Sequence, residues 1–198
     1  MSVARLRGDL HERIVRGLLP LNRLLTRCGV VPNQVTVAAM VFSLAAAGLI
    51  VADLLVLAGV VWLLGGLLDL IDGALARLQD RVTASGAFLD STLDRVSEGV
   101  VFSALVYHLA AQGAAVDAGL VVLALLGSLL ISYTRARAEG LGADCKVGLV
   151  TRAERVLLIA VGLCFDLVQV MIYCLVLLTA FTVGQRIRHS FRVLNEKG

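Results

Sequence analysis

The chain has 198 residues, of which 59% are hydrophobic and only 17% charged, with a mean hydropathy of +0.89 and a formal net charge of +3. A soluble domain of ordinary composition carries about 25% charge, so the composition excludes one and points to a chain solvated by lipid. The cysteines, Cys28, Cys145, Cys164 and Cys174, form no CxxC pair and give no sign of a disulfide framework or a zinc site.

The opening stretch, "MSVARLRGDLHERIVRGLLPLNRLL", lacks the compact apolar core and small-residue cleavage site of a signal peptide. It reads as an amphipathic interfacial helix, with Leu10, Ile14, Leu18 and Leu21 toward lipid and Arg13, Arg16 and Arg23 toward water or head groups. Pro32 and Asn33 in "VPNQVT" suit a helix start. Six apolar helices are predicted after it, roughly over 34–52, 54–78, 84–111, 118–138, 148–165 and 168–189. Each is long enough to cross a bilayer, with tilt and overhang. The expected fold is therefore an all-α integral membrane protein, a single domain over 1–198, in which an amphipathic segment (1–30) precedes a six-helix bundle (31–190).

Charge fixes the expected orientation. Lys and Arg are absent between Arg27 and Arg77, between Arg95 and Arg135, and between Arg155 and Arg186. The basic residues gather at alternate helix ends, which places both termini in the cytoplasm by the positive-inside rule. A cell inner (plasma) membrane location is expected, and no nucleic-acid partner.

Four aspartates interrupt this apolar pattern in "DLIDGALARLQDRVTASGAFLDSTLD". Asp69 and Asp72 are three apart on the second predicted helix, and Asp90 and Asp94 are four apart on the third, so each pair shares a helix face. Asp72 and Asp90 lie equally far from position 81, so a hairpin bent there brings both pairs to similar depth near the cytoplasmic edge. Such a cluster repels itself in low dielectric. Hard divalent cations, Mg²⁺ or Mn²⁺, would neutralise it, and two ions could clamp a phosphoryl centre. Gly73 and Gly86 leave room for a ligand beside the backbone, and Ala74, Ala76 and Ala87 keep the walls low. A rival reading, ion-coupled transport, would predict a related half elsewhere in the chain, and none is visible. An aspartate-rich membrane prenyltransferase is a second rival.

Asp72-Gly73, Ala76-Arg77, Gly86, Asp90 and Asp94 match the pattern DG-x2-AR-x8-G-x3-D-x3-D, with Asp69 as the additional upstream aspartate. This resembles the signature of the CDP-alcohol phosphotransferases, membrane enzymes that move a phosphatidyl or related group from a CDP-linked donor to an alcohol and release CMP. The resemblance implies that Asp69, Asp72 and Asp90 bind metal and that Asp94 is the catalytic base and also touches a metal. It implies that Gly73, Ala76, Arg77 and Gly86 line the CDP-donor site, that the donor is CDP-diacylglycerol, and that the chain forms a homodimer.

A second polar set concerns the acceptor. "SYTRARAEG", "TRAER" and "GQRIRHS" put Arg135, Arg152, Arg155 and Arg186 at helix ends on the basic side. Converging guanidiniums suit a phosphate, so the expected acceptor is an alcohol phosphate. The stretches are similar to those of the bacterial phosphatidylinositol-phosphate synthases, with Arg135 in place of a Lys and with Thr151 and Ala153 departing from that subgroup's run. The resemblance implies inositol phosphate as acceptor, with glycerol 3-phosphate as the alternative. Glu98, one turn beyond Asp94, is read either as an extension of the acidic face or as helix packing, and His108 as structural.

Overall fold

The computed structural model describes residues 17–196, all helix and turn with no strand among them. The expectations on residues 1–16, including lipid-facing Leu10 and Ile14 and water-facing Arg13 and Arg16, lie outside the described residues. The described end of that segment, residues 17–27, is helical (α1). It is followed by α2 (Pro32–Val51), α3 (Leu55–Leu78), α4 (Ala84–Ala111), α5 (Ala115–Gly140), α6 (Arg152–Cys164) and α7 (Val168–Asn195).

The turns use residues that tolerate a left-handed backbone. Gly29, Asp53, Asp80, Gly113, Gly142 and Asp166 all have φ between 53° and 79°. Asp80 follows α3, where the Arg81 N–H reaches back to the Ala76 carbonyl at 2.9 Å, a helix-ending wrap that satisfies an orphan carbonyl. One expected boundary is corrected. The fifth apolar helix was expected from about 148, but α6 begins at Arg152, because Thr151 and Glu154 form a capping box and Gly148 has φ 139°. The T-x-x-E signal is present in the sequence and outweighs the apolar run before it.

Four helices, α2, α3, α5 and α7, are long and apolar enough to cross a membrane. The first half of α4 carries Asp90, Asp94, Arg95 and Glu98. The 13 residues of α6 rise only about 20 Å, against about 30 Å of hydrocarbon. The molecule is a multi-pass membrane protein, and its side chains sort accordingly. On α5 the small or polar residues Ala124, Gly127 and Ser128 are buried with Val121 and Ile131, while Val122, Leu123, Leu126 and Leu129 are exposed. Large apolar groups outside and small ones inside is the pattern of a helix solvated by lipid.

The chain divides into two compact units, Met1–Phe42 with Leu64–Val96, and Ser43–Leu63 with Ser97–Gly198. In the first, Leu18 and Leu25 of α1 pack with Val30, Val35, Leu68, Ile71 and Leu75. The Gln79 amide ties the end of α3 to the α1–α2 turn by donating to the Val30 carbonyl at 2.9 Å. In the second, Trp62, Phe102, Leu105, Ile159, Leu163, Met171, Ile172 and Leu175 form the centre of a large apolar core. The Trp62 indole N–H is satisfied by the Val156 carbonyl at 3.1 Å. At the start of α5, buried Asp117 accepts hydrogen bonds from Gln169 and Tyr173 of α7, both at 3.1 Å. Gly127 and Ser128 face the chain's own interior: a Cβ on Gly127 would collide with Thr179, and Ser128 bonds to Glu98.

A close helix approach set by a backbone atom lies at Gly59 of α3. A Cβ there would lie 2.9 Å from the Ala160 carbonyl oxygen and 2.7 Å from Cys164 Sγ. The carbonyl cannot swing aside without breaking α6, so Gly59→Ala should destabilise the protein by about 1–3 kcal/mol through overpacking. Gly119→Ala meets nothing within 4 Å and should be neutral or stabilising by up to about 1 kcal/mol. Unfolding of both variants in the same detergent micelle measures the difference, and equal midpoints would contradict the close approach.

Candidate active site

The α3–α4 hairpin carries the four aspartates. It bends at 79–83 as the spacing requires, and Thr83 starts α4 by accepting the Gly86 N–H on its hydroxyl at 3.0 Å. Asp72 is buried, whereas Asp69, Asp90 and Asp94 are half-buried. The charges of Asp69 and Asp90 both act on Asp72, so the structure brings these three carboxylates of the two helices into electrostatic reach. Asp94 lies one turn further along α4, with its carboxylate 4.0 Å from the Arg95 guanidinium.

Asp72 has a partner that the sequence analysis did not single out. The Thr36 hydroxyl, buried in the first turns of α2, donates to Asp72 Oδ2 at 2.7 Å. This bond fixes the rotamer of the most buried of the four aspartates. The signal available was the "VPNQVT" stretch itself: Pro32 starts α2, and this puts Thr36 one turn in, facing α3.

The small residues keep space around these acids. A Cβ at Gly73 would meet only the Arg77 guanidinium, at 3.8 Å, so packing does not demand a glycine there. Gly86 is tighter, with Thr83 Oγ1 at 3.0 Å and Asn33 Oδ1 at 3.4 Å from such a Cβ. Ala76 is half-buried and Arg77 exposed. Among the described residues no three His, Cys, Asp or Glu side chains already close around one point as a metal cage would. The aspartates offer hard oxygen donors on two helices.

The expected acceptor residues all lie in the second unit, in three different settings. Arg135 is exposed and pairs with Glu139 at 2.8 Å. Arg152 is half-buried at the start of α6. Arg155 is 1% exposed and holds Glu98, itself 0% exposed, through Nε at 3.0 Å and Nη2 at 2.7 Å. Arg186 is buried and donates to the carbonyls of Val147 and Ile131. The charges of Arg135 and Arg155 both act on Arg186. Glu98 is thus the carboxylate of a buried ion pair that joins α4 to α6.

The family model described as CDP-alcohol phosphatidyltransferase matches residues 29–183. The archaetidylinositol phosphate synthase of Pyrococcus horikoshii is 32% identical over 181 residues, covering 91% of this chain and 94% of the relative. The phosphatidylinositol phosphate synthase of Corynebacterium glutamicum is 39% identical over 149 residues, covering 73% of this chain and 67% of the relative. Among solved structures, the phosphatidylinositol phosphate synthase of Mycobacterium tuberculosis with CDP-DAG bound superposes with a TM-score of 0.80 at 30% identity, covering 87% of this chain and 92% of that one. A second structure of that enzyme, in complex with manganese and citrate, gives a TM-score of 0.77 at 31% identity over 87% of this chain and 88% of that one. A match that takes in the whole aspartate hairpin and most of the chain around it places the protein, an enzyme, in the CDP-alcohol phosphatidyltransferase family.

Proposed function

We propose that the protein transfers a phosphatidyl group from CDP-diacylglycerol to an alcohol phosphate, inositol phosphate, and releases CMP. The observation that carries the acceptor assignment is the group of guanidiniums in the second unit, with Arg155 and Arg186 buried. A free alcohol needs hydrogen-bonding groups more than positive charge, whereas a phosphate dianion rewards converging guanidiniums. The bacterial and archaeal relatives support it, since their names share inositol phosphate and differ in the lipid. Glycerol 3-phosphate is the alternative acceptor, and an archaeal-type ether lipid the alternative donor tail.

In this reading Asp69, Asp72 and Asp90 hold divalent metal, Mg²⁺ or Mn²⁺, as two ions, with Asp94 at their edge. The donor set fits: oxygen ligands only, with the deepest carboxylate pre-set by Thr36 and repelled by its two neighbours. When bound, the metal draws charge off the diphosphate and makes CMP a better leaving group. Asp94 takes the proton of the acceptor hydroxyl. The hydroxyl oxygen then bonds to the phosphorus that carries the diacylglycerol, and the bond from that phosphorus to the CMP oxygen breaks. Gly73, Ala76, Arg77 and Gly86 line the donor site, and Arg135, Arg152, Arg155 and Arg186 serve the acceptor phosphate. We further propose that α4, and α6 together with the residues 148–151 before it, complete six spans, that residues 1–198 act as one catalytic domain with its active site and termini in the cytoplasm, and that two chains form a homodimer.

Incubating the purified protein with CDP-diacylglycerol, Mg²⁺ or Mn²⁺, and inositol phosphate, glycerol 3-phosphate, free inositol or serine should release CMP fastest with inositol phosphate. Mass analysis of the lipid product identifies the acceptor, and preference for an unphosphorylated alcohol would overturn the arginine assignment. Asp69→Asn, Asp72→Asn and Asp90→Asn should each lose turnover and weaken metal dependence. Asp94→Asn should lose turnover while still binding donor, and near-normal rates in that variant would remove its role as base. Thr36→Val deletes a hydrogen bond to a charged group, a loss of about 1.5–3 kcal/mol, or roughly 10- to 100-fold in kcat/KM. Metal titration of that variant's activity should show a weaker apparent affinity, and an unchanged titration would make the bond irrelevant to the site.

A further inference from the structure

Glu98 stands in the α4 sequence one turn after Asp94, yet it is committed to a different partner. Its Oε1 accepts from both Nε and Nη2 of Arg155, and its Oε2 accepts from the Ser128 hydroxyl at 2.7 Å. Both carboxylate oxygens are therefore engaged, and all three side chains are buried. The arrangement fixes the guanidinium plane of Arg155 from one side. It leaves Nη1 buried with no hydrogen-bond partner. An arginine donor buried without an acceptor forfeits a charged hydrogen bond, and it is the donor that a bound anion would complete.

A second buried guanidinium, Arg186, feels the charges of Arg135, Arg155 and Glu139, while Glu98 neutralises Arg155 directly. The bonds of Arg186 go to the neutral carbonyls of Val147 and Ile131.

We propose that Glu98, locked by Ser128, is a positioning residue that presents Arg155 Nη1 to the phosphate of the acceptor and so sets acceptor affinity without touching substrate. The proposal rests on the alcohol-phosphate reading above. Glu98 does two things. It holds a guanidinium in the apolar interior while no substrate is bound, and it spends Nε and Nη2 so that only one edge of the group faces the ligand. A single fixed edge favours a phosphate oxygen arriving from one direction. An unpaired Arg155 would be free to turn toward other acceptors.

Steady-state kinetics with the donor and the acceptor varied in turn test this. Glu98→Gln keeps the side-chain shape and loses the charge. Its KM for the alcohol phosphate should rise about tenfold or more, while its KM for the CDP-lipid changes less than about twofold. Glu98→Asp keeps the charge but draws the carboxylate back by one methylene, and should show a smaller rise in the same parameter. Each substitution is repeated in an Arg155→Ala background, where Glu98→Gln should add nothing further to the acceptor KM. A well-folded Glu98→Asp variant with unchanged acceptor KM would overturn the proposal, as would additive effects of the two substitutions or equal rises in both KM values. If Glu98→Gln does not accumulate in the membrane, Glu98→Asp and its Arg155→Ala combination still decide. Wild-type preference for an unphosphorylated alcohol sinks the alcohol-phosphate reading. An acceptor KM that responds to Arg155→Ala but not to Glu98 substitutions sinks this proposal alone.

Discussion

An ionised side chain in an apolar interior costs several kcal/mol unless another charge and well-aimed hydrogen bonds compensate it. That constraint governs every polar feature of this chain. The interior combines large apolar groups such as Trp62, Phe102 and Leu105 with Ala, Ser and Thr, while Leu, Val and Phe cover much of the exterior. Several of the buried acids have assigned partners. Asp72 has Thr36, Asp117 has Gln169 and Tyr173, and Glu98 has Arg155 and Ser128. These bonds also tie helix to helix where apolar packing in lipid supplies little driving force.

The two compact units use the constraint differently. In the first, the acids of α3 and α4 share like charge and lie within reach of one another. Such an arrangement is stable in low dielectric only with protons or cations, and it suits a site that binds metal with an anionic donor. In the second, the buried guanidinium of Arg155 is paired with Glu98, and that of Arg186 is held by the carbonyls of Val147 and Ile131.

Close helix packing serves the same end. Gly59 lets α3 touch the backbone of α6, and Gly127 lets α5 touch Thr179 of α7. At both points a methyl group would push helices apart. The residues that accept charge sit on these same helices, so their spacing depends on contacts made by residues with no chemistry of their own. Gly73 differs. Packing would tolerate a side chain there, which leaves the space beside Arg77 as its reason.

The sequence by itself determined the helical class, the hairpin and its four aspartates. Hydropathy over long runs and the three- and four-residue spacing of acids are local properties that a helix converts directly into faces. Five helix positions followed from apolar runs, and the start of α6 was written as well, in the T-x-x-E box at Thr151, although the apolar residues before it masked the signal. Partnership was not legible. Glu98 reads as one more acid on the Asp90–Asp94 face, and Arg155 as one more basic helix end, because two residues 57 positions apart give no hint of contact. Thr36 and Asp72 are 36 apart and equally silent. A buried charge chooses its partner by distance and dielectric in three dimensions, and only the packing of α2 on α3 and of α4 against α5 and α6 decided which polar side chains would meet.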